Sequence, residues 1–181
     1  MNLPNKLTLS RIILIPVFLF FILCDSLPLD MQTRRYIAVT IFIIASITDA
    51  IDGHIARKYK MVTNFGKFMD PLADKLLVSA AMISMVHLGD IPTWIVIVII
   101  SREFIITGFR TIAIEQNIVI AAGFWGKVKT VFQMAMIIVV LTNIDHVFFK
   151  FTGTALIYLS LIFTIVSAVD YLVKNKSVLR N

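Results

Sequence analysis

Cysteine is nearly missing from this sequence, and the gap excludes two kinds of site. Cys24 is the single cysteine in 181 residues, and it sits in an apolar run. One thiol closes no intramolecular disulfide and builds no cysteine-based zinc site. Histidine is scarce too, and His54, His87 and His146 stand at no spacing that suits a dedicated zinc site. Only 15% of the residues are charged, against about a quarter in an average soluble domain. No internal repeat, low-complexity segment or linker interrupts the chain, so residues 1–181 are expected to form one compact domain. The polar start MNLPNK precedes an apolar run with no small-residue cleavage site after it. A cleavable signal peptide is therefore not expected.

What is present is apolar. Hydrophobic residues make up 59% of the chain, and the mean hydropathy is +0.90. An all-α polytopic membrane protein follows, because a bilayer core leaves the backbone few other ways to satisfy its hydrogen bonds. A spanning helix needs about 20 mostly apolar residues. Six segments meet this need, near Leu9–Cys24, Tyr36–Ala56, Lys67–Leu88, Thr93–Ile114, Phe124–Leu141 and Thr154–Val173. Pro28, Gly89, Pro92, Gly123 and Gly153 fall in or beside the connections, where helix breakers are expected. The opening NLPNKLTLSR is polar on one side, so a short interfacial segment before the first span is expected.

Charge gives the orientation. With the N-terminus in the cytoplasm, Arg34, Arg35 and Lys150 fall outside and the remaining Lys and Arg residues fall inside. The positive-inside rule then places both termini in the cytoplasm. The same rule, with anionic headgroups, accounts for the net charge of +6 without a nucleic-acid partner.

One stretch breaks the apolar pattern. Asp49 to Asp74 reads DAIDGHIARKYKMVTNFGKFMDPLAD. Carboxylates at membrane depth are costly and mark functional sites. Asp49 and Asp52 are three apart near the end of the second helix, and Asp70 and Asp74 are four apart near the start of the third. Each pair shares a helix face. A connection of roughly ten residues would let the helices run antiparallel, with the four carboxylates at one depth. Bare, these charges would raise one another's pKa values. Hard divalent cations such as Mg²⁺, Mn²⁺ or Ca²⁺ relieve that repulsion, and two of them balance four carboxylates. Gly53 and Ala56 leave room for a bulky ligand, Gly66 permits a close backbone approach, and Arg57 can grip a phosphate. Pro71 suits a first helical turn and should kink the helix if it begins earlier. The bland alternative is a set of solvated acids paired with nearby lysines.

The spacing Asp49-x₂-Asp52-Gly53-x₂-Ala56-Arg57-x₈-Gly66-x₃-Asp70-x₃-Asp74 matches the signature of the CDP-alcohol phosphotransferase family at every fixed position. The chain thus resembles enzymes that transfer a CDP-linked group to an alcohol and release CMP. The resemblance implies that Asp49, Asp52, Asp70 and Asp74 hold a divalent metal pair, Mg²⁺ or Mn²⁺. It implies that Asp74 is the general base toward the acceptor hydroxyl. It also implies that Gly53, Ala56 and Arg57 line the CDP pocket, with Gly66 beside them, and that the protein is a homodimer.

The acceptor must be read elsewhere. Arg110, Lys127 and Lys129 fall on the same side of the membrane as the carboxylates. Three cations suit a phosphate-bearing acceptor, although positive-inside anchoring also explains each one. The segments NLPNKLTLSR, VTNFGKFMDPLADKLLVSAA, IVIVIISREFIITGFR and WGKVKT resemble the branch of Gram-positive bacteria that makes phosphatidylglycerophosphate. This implies CDP-diacylglycerol and sn-glycerol 3-phosphate as substrates, and a site on the cytoplasmic side of a bacterial plasma membrane. It also implies that Asn5 and Thr8 help close the nucleotide pocket. His54 and Phe109 stand where the branch favours an aromatic and a leucine. Arg102 and Glu103, adjacent and intramembrane, are expected to pair with other groups. Rival readings are a family member using inositol phosphate, serine or phosphatidylglycerol, an intramembrane prenyltransferase, or a small cation transporter with carboxylates in its bundle.

Overall fold

A computed structural model describes residues 3–58, 64–115, 120 and 123–176, with side chains at 9–48, 72–114, 120 and 123–176. Among the described residues the fold is all-α. Six helices follow in order: α1 (Leu3–Leu23), α2 (Met31–Lys58), α3 (Asn64–His87), α4 (Thr93–Glu115), α5 (Phe124–Thr142) and α6 (Val147–Lys174). They group into two compact units. The first takes in α1 to α3 with Leu141–Asn143, and the second takes in Gly89–Val140 and Ile144–Asn181.

The first unit is held by helical stripes. Arg11, Ile15, Phe18 and Ile22 are buried along α1 at steps of four, three and four. Ala38, Phe42 and Ala45 are buried along α2, and Ala73, Leu77, Ala81 and Met85 along α3. These steps keep each set on one face of its helix. α1 packs on both α2 and α3, and α2 touches α3. The helix runs unbroken from Leu3 to Leu23, with no break near Leu9 where hydropathy starts the span. Pro4 falls in its first turn, where a missing N–H is tolerated. Pro16 lies inside the helix.

α2 begins earlier than its apolar run, because its polar start is capped. Asp30 accepts from the Thr33 amide at 2.9 Å and from the Thr33 hydroxyl at 2.7 Å. The Thr33 amide bond, then the hydroxyl bond, holds the Asp30 carboxyl below the ordinary carboxylate range. Folded Asp30 therefore binds its proton less readily than unfolded Asp30. The cap is complete above the unfolded pKa of about 4 and is lost as pH falls through the lower folded value. Acidification should thus lower the exchange protection of the Thr33 and Arg34 amides, measured against the intrinsic rate at each pH. Equal protection factors above and below that range would remove Asp30 from the cap.

Arg34 and Arg35, which the charge rule sets on the outer side, are both buried. Arg34 closes the end of α1. Its Nε donates to the Phe21 carbonyl at 3.0 Å and its Nη2 to the Ile22 carbonyl at 3.2 Å, and it meets Asp25 at 3.3 Å. These carbonyls lie in the last turn of a helix, where no backbone donor remains. Gln32 donates to the Thr142 carbonyl at 2.7 Å, and Arg35 Nη1 to the Leu141 carbonyl at 3.4 Å.

In the second unit, α6 carries the clearest stripe. Gly153, Ile157, Ser160, Thr164, Ser167 and Tyr171 are buried. Tyr158, Ile162, Ile165, Val169 and Val173 are exposed on the other side. Small residues inside and large apolar residues outside are the pattern of a lipid-facing helix. α5 and α6 are each long and apolar enough to cross a membrane. α4 carries Arg102, Glu103 and Arg110 within its length.

Gly153 is not a breaker in a connection. It is the seventh residue of α6, because that helix starts at Val147, capped by the exposed His146 accepting from the Phe148 amide at 3.2 Å. A Cβ at Gly153 would lie 3.3 Å from Val140 Cγ2, so the glycine admits α5 closely. The same pair of helices meets through Phe132 and Phe163, with ring centroids 4.6 Å apart, and Trp125 stacks on Phe163.

Candidate functional site

The acidic stretch folds as the facing ends of two consecutive helices. α2 continues to Lys58, so Asp49, Asp52, Gly53, Ala56 and Arg57 are all helical. α3 begins at Asn64 and contains Gly66, Asp70 and Asp74. Both helices run past their apolar segments into polar residues, and residues 59–63 between them lie outside the described residues. In helical register Asp49, Asp52, Gly53 and Ala56 share one face of α2, and Gly66, Asp70 and Asp74 share one face of α3. Pro71 sits in the interior of α3 and not in its first turn. Its ring nitrogen offers no hydrogen bond to the turn before it.

Of the four carboxylates, only Asp74 has a described side chain, and it is half-buried. Its neighbours Ala73 and Leu77 are core residues. The side chains of Asp49, Asp52, Asp70, Gly53, Ala56, Arg57 and Gly66 lie outside the described residues, as do those of Asn5 and Thr8 on the first turns of α1. Among the described residues no three carboxylates, histidines or cysteines gather as a metal site. The donor set on α2 and α3 nonetheless fits hard divalent cations. It is all oxygen, it comes in helical pairs, and the two helices touch within one unit.

The basic trio belongs to the second unit, and its members differ in setting. Lys127 is exposed near the start of α5. Lys129, two residues on, is only 4% exposed. Its Nζ donates to Glu103 Oε1. Arg102 Nη1 donates to the same oxygen at 3.0 Å, and Arg102 Nη2 donates to Ser167 Oγ at 2.9 Å. Glu103 thus faces two cations, one from its own helix and one from α5. Arg102 and Glu103 pair with each other, and, as expected, with other groups too: Ser167 for Arg102 and Lys129 for Glu103.

Arg110 is exposed on α4, yet it is held at one edge. Its Nε donates to Tyr171 Oη at 3.3 Å, and its Cζ lies 5.6 Å from the Tyr171 ring centroid. Neither Glu103 as partner of Lys129 nor Tyr171 as partner of Arg110 is visible in local spacing. They are 26 and 61 residues from the groups they hold. Asp170, which has no partner evident in the sequence, pairs with Lys174 at 2.7 Å.

Comparison with known proteins identifies the family. The family model of CDP-alcohol phosphatidyltransferases matches residues 1–166. A CDP-diacylglycerol–glycerol-3-phosphate 3-phosphatidyltransferase of Bacillus subtilis is 44% identical, over 99% of this chain and 97% of its own. Proteins of the same name from Haemophilus influenzae and Rickettsia bellii are 39% and 37% identical, each over 94% of this chain and at least nine-tenths of their own. With a family match over most of its length and relatives that align end to end, the chain belongs to the CDP-alcohol phosphatidyltransferase family.

Proposed function

We propose that this protein transfers the phosphatidyl group of CDP-diacylglycerol to sn-glycerol 3-phosphate, releasing CMP and phosphatidylglycerophosphate. The observation that carries the reading is the eight-position signature, set on two touching helices of one unit. The names of the full-length relatives support glycerol 3-phosphate as the acceptor.

In this reading residues 1–181 work as one catalytic domain, with six spans and both termini in the cytoplasm. The polar first turns of α1 lie in the interface, and the protein sits as a homodimer in a bacterial plasma membrane. The excess of Lys and Arg on one side supports that orientation. Asp49, Asp52, Asp70 and Asp74 would hold two divalent ions, Mg²⁺ or Mn²⁺, which supply charge neutralisation at the pyrophosphate. Gly53 and Ala56 keep the α2 face low enough for the CDP moiety, Gly66 does the same on α3, and Arg57 grips a phosphate. Asn5 and Thr8 close the nucleotide end.

The acceptor is a dianion near neutral pH, so cations must receive it. Arg110 and Lys127 contact its phosphate, and Lys129 adds charge from within the Glu103 network. Asp74 takes the proton from the primary hydroxyl of the acceptor. That oxygen bonds to the phosphorus that carries diacylglycerol, the bond from this phosphorus to the CMP oxygen breaks, and CMP leaves. One displacement suffices, and no covalent enzyme intermediate is required.

An acceptor panel tests this. Purified enzyme with CDP-diacylglycerol and Mg²⁺ or Mn²⁺ should release CMP with sn-glycerol 3-phosphate and not with inositol phosphate, serine or phosphatidylglycerol. Comparable release with one of those three would replace the acceptor. Lys127→Ala should raise the KM for glycerol 3-phosphate about tenfold, the effect of losing a hydrogen bond to a charged group. An unchanged KM would take Lys127 out of the acceptor site.

A further inference from the structure

Tyr171 lies beyond the part of the chain that the family model matches, which ends at residue 166. The structure fixes it from two directions. Its ring is 6% exposed and packs with Ile106, Phe109 and Ala113 of α4. The Phe109 ring meets it edge-on, with centroids 5.7 Å apart. Its carbonyl accepts from both the backbone and the side-chain amide of Asn175, at 3.2 and 2.8 Å, and so ends α6. A phenol held in this way is a rigid acceptor.

Arg110 is the reverse. It is exposed, long and flexible, and such a side chain loses about 2 kcal/mol of rotamer entropy when it is ordered. Tyr171 restrains it through Nε at 3.3 Å and through the ring face, 5.6 Å from Cζ. A guanidinium can offer a phosphate two edges for bidentate contact: the side edge, Nε with one terminal nitrogen, or the end, Nη1 with Nη2. With Nε donating to Tyr171, the side edge is taken and the end remains.

We propose that Tyr171 is a positioning residue for the acceptor phosphate: it occupies the Nε edge of Arg110 and presents the Nη1–Nη2 fork. The inference rests on reading Arg110 as an acceptor-phosphate contact. It adds that the end of α6 sets how tightly the acceptor is held, without touching it.

Tyr171→Phe keeps the ring, its packing and the cation–π contact, and removes only the hydroxyl. It should raise the KM for sn-glycerol 3-phosphate by roughly three- to tenfold, the span of one hydrogen bond of ordinary strength. The kcat, the KM for CDP-diacylglycerol and the melting temperature should stay as in the wild type. A merely structural role would lower the melting temperature or move both KM values together, and either result overturns the proposal. Arg110→Ala separates the proposal from the reading beneath it. If Arg110→Ala raises the acceptor KM and Tyr171→Phe does not, Tyr171 alone is wrong. If Arg110→Ala leaves that KM unchanged, both fall. In the Arg110→Ala background, Tyr171→Phe should add nothing, and a further rise would show that the hydroxyl acts by another route.

Discussion

Asp74→Asn lowers CMP release by about a thousandfold or more while the protein keeps its fold. The size follows from the role. A positioned general base contributes roughly 10²- to 10⁴-fold, and an amide is also a poorer partner for a divalent cation than a carboxylate. The retention of fold follows from the position. Asp74 is helical and half-buried beside Ala73 and Leu77, and Asn has nearly the same volume. Packing is therefore kept and only charge is lost. The measurements are CMP release under saturating substrates and the melting temperature in the same detergent. Release within about tenfold of the wild type would exclude Asp74 as the base. A lost melting transition would show that its charge serves the fold.

Glu103→Leu should destabilise the protein by about 2–4 kcal/mol, somewhat less than removing one member of a fully buried ion pair, because Glu103 itself is 22% exposed. Glu103 is the carboxylate that both Lys129 and Arg102 face, and Lys129 is nearly inaccessible. Glu103→Gln keeps an acceptor and should cost less, about 1–3 kcal/mol. Reversible unfolding in mixed micelles gives both numbers. Equal stability of wild type and Glu103→Leu would mean that the attraction among the three groups does no more than offset their desolvation. Replacing Arg102, Glu103 and Lys129 together by apolar residues of similar volume should recover most of the loss, since no charge is then left behind.

These two predictions differ in how far the sequence led to them. All six helices could be located from apolar runs, because each run must bury its backbone within itself. The ends were misplaced where helix and apolar run part company. α1, α2 and α6 begin at Leu3, Met31 and Val147, before the starts expected from the sequence, because Pro4 suits a first turn and Asp30 and His146 cap theirs. Gly153 departs from its expected place for a related reason. Its lack of a side chain serves the close approach of Val140 and not a change of direction. On the site, the register of Asp49 with Asp52 and of Asp70 with Asp74 needs only helical periodicity, so it was readable. The hold of Glu103 on Lys129 and of Tyr171 on Arg110 joins distant helices, and no local spacing encodes it. It also divides a trio that looked uniform, leaving Lys127 exposed and Lys129 enclosed.

The capping of α1 and the anchoring of α2 also bear on the order in which the chain is made. Arg34 finds the Phe21 and Ile22 carbonyls only 13 and 12 residues upstream. That hairpin can close as soon as the start of α2 has left the ribosome. Gln32 and Arg35 reach acceptors 110 and 106 residues downstream. At a synthesis rate of roughly 5–20 residues per second, these two donors stand for several seconds or longer before Leu141 and Thr142 exist. During that interval both carbonyl contacts are missing, and the Gln32 amide turns to water or lipid headgroups. The first half of the protein is thus translated early but sealed late, by the last turn of α5.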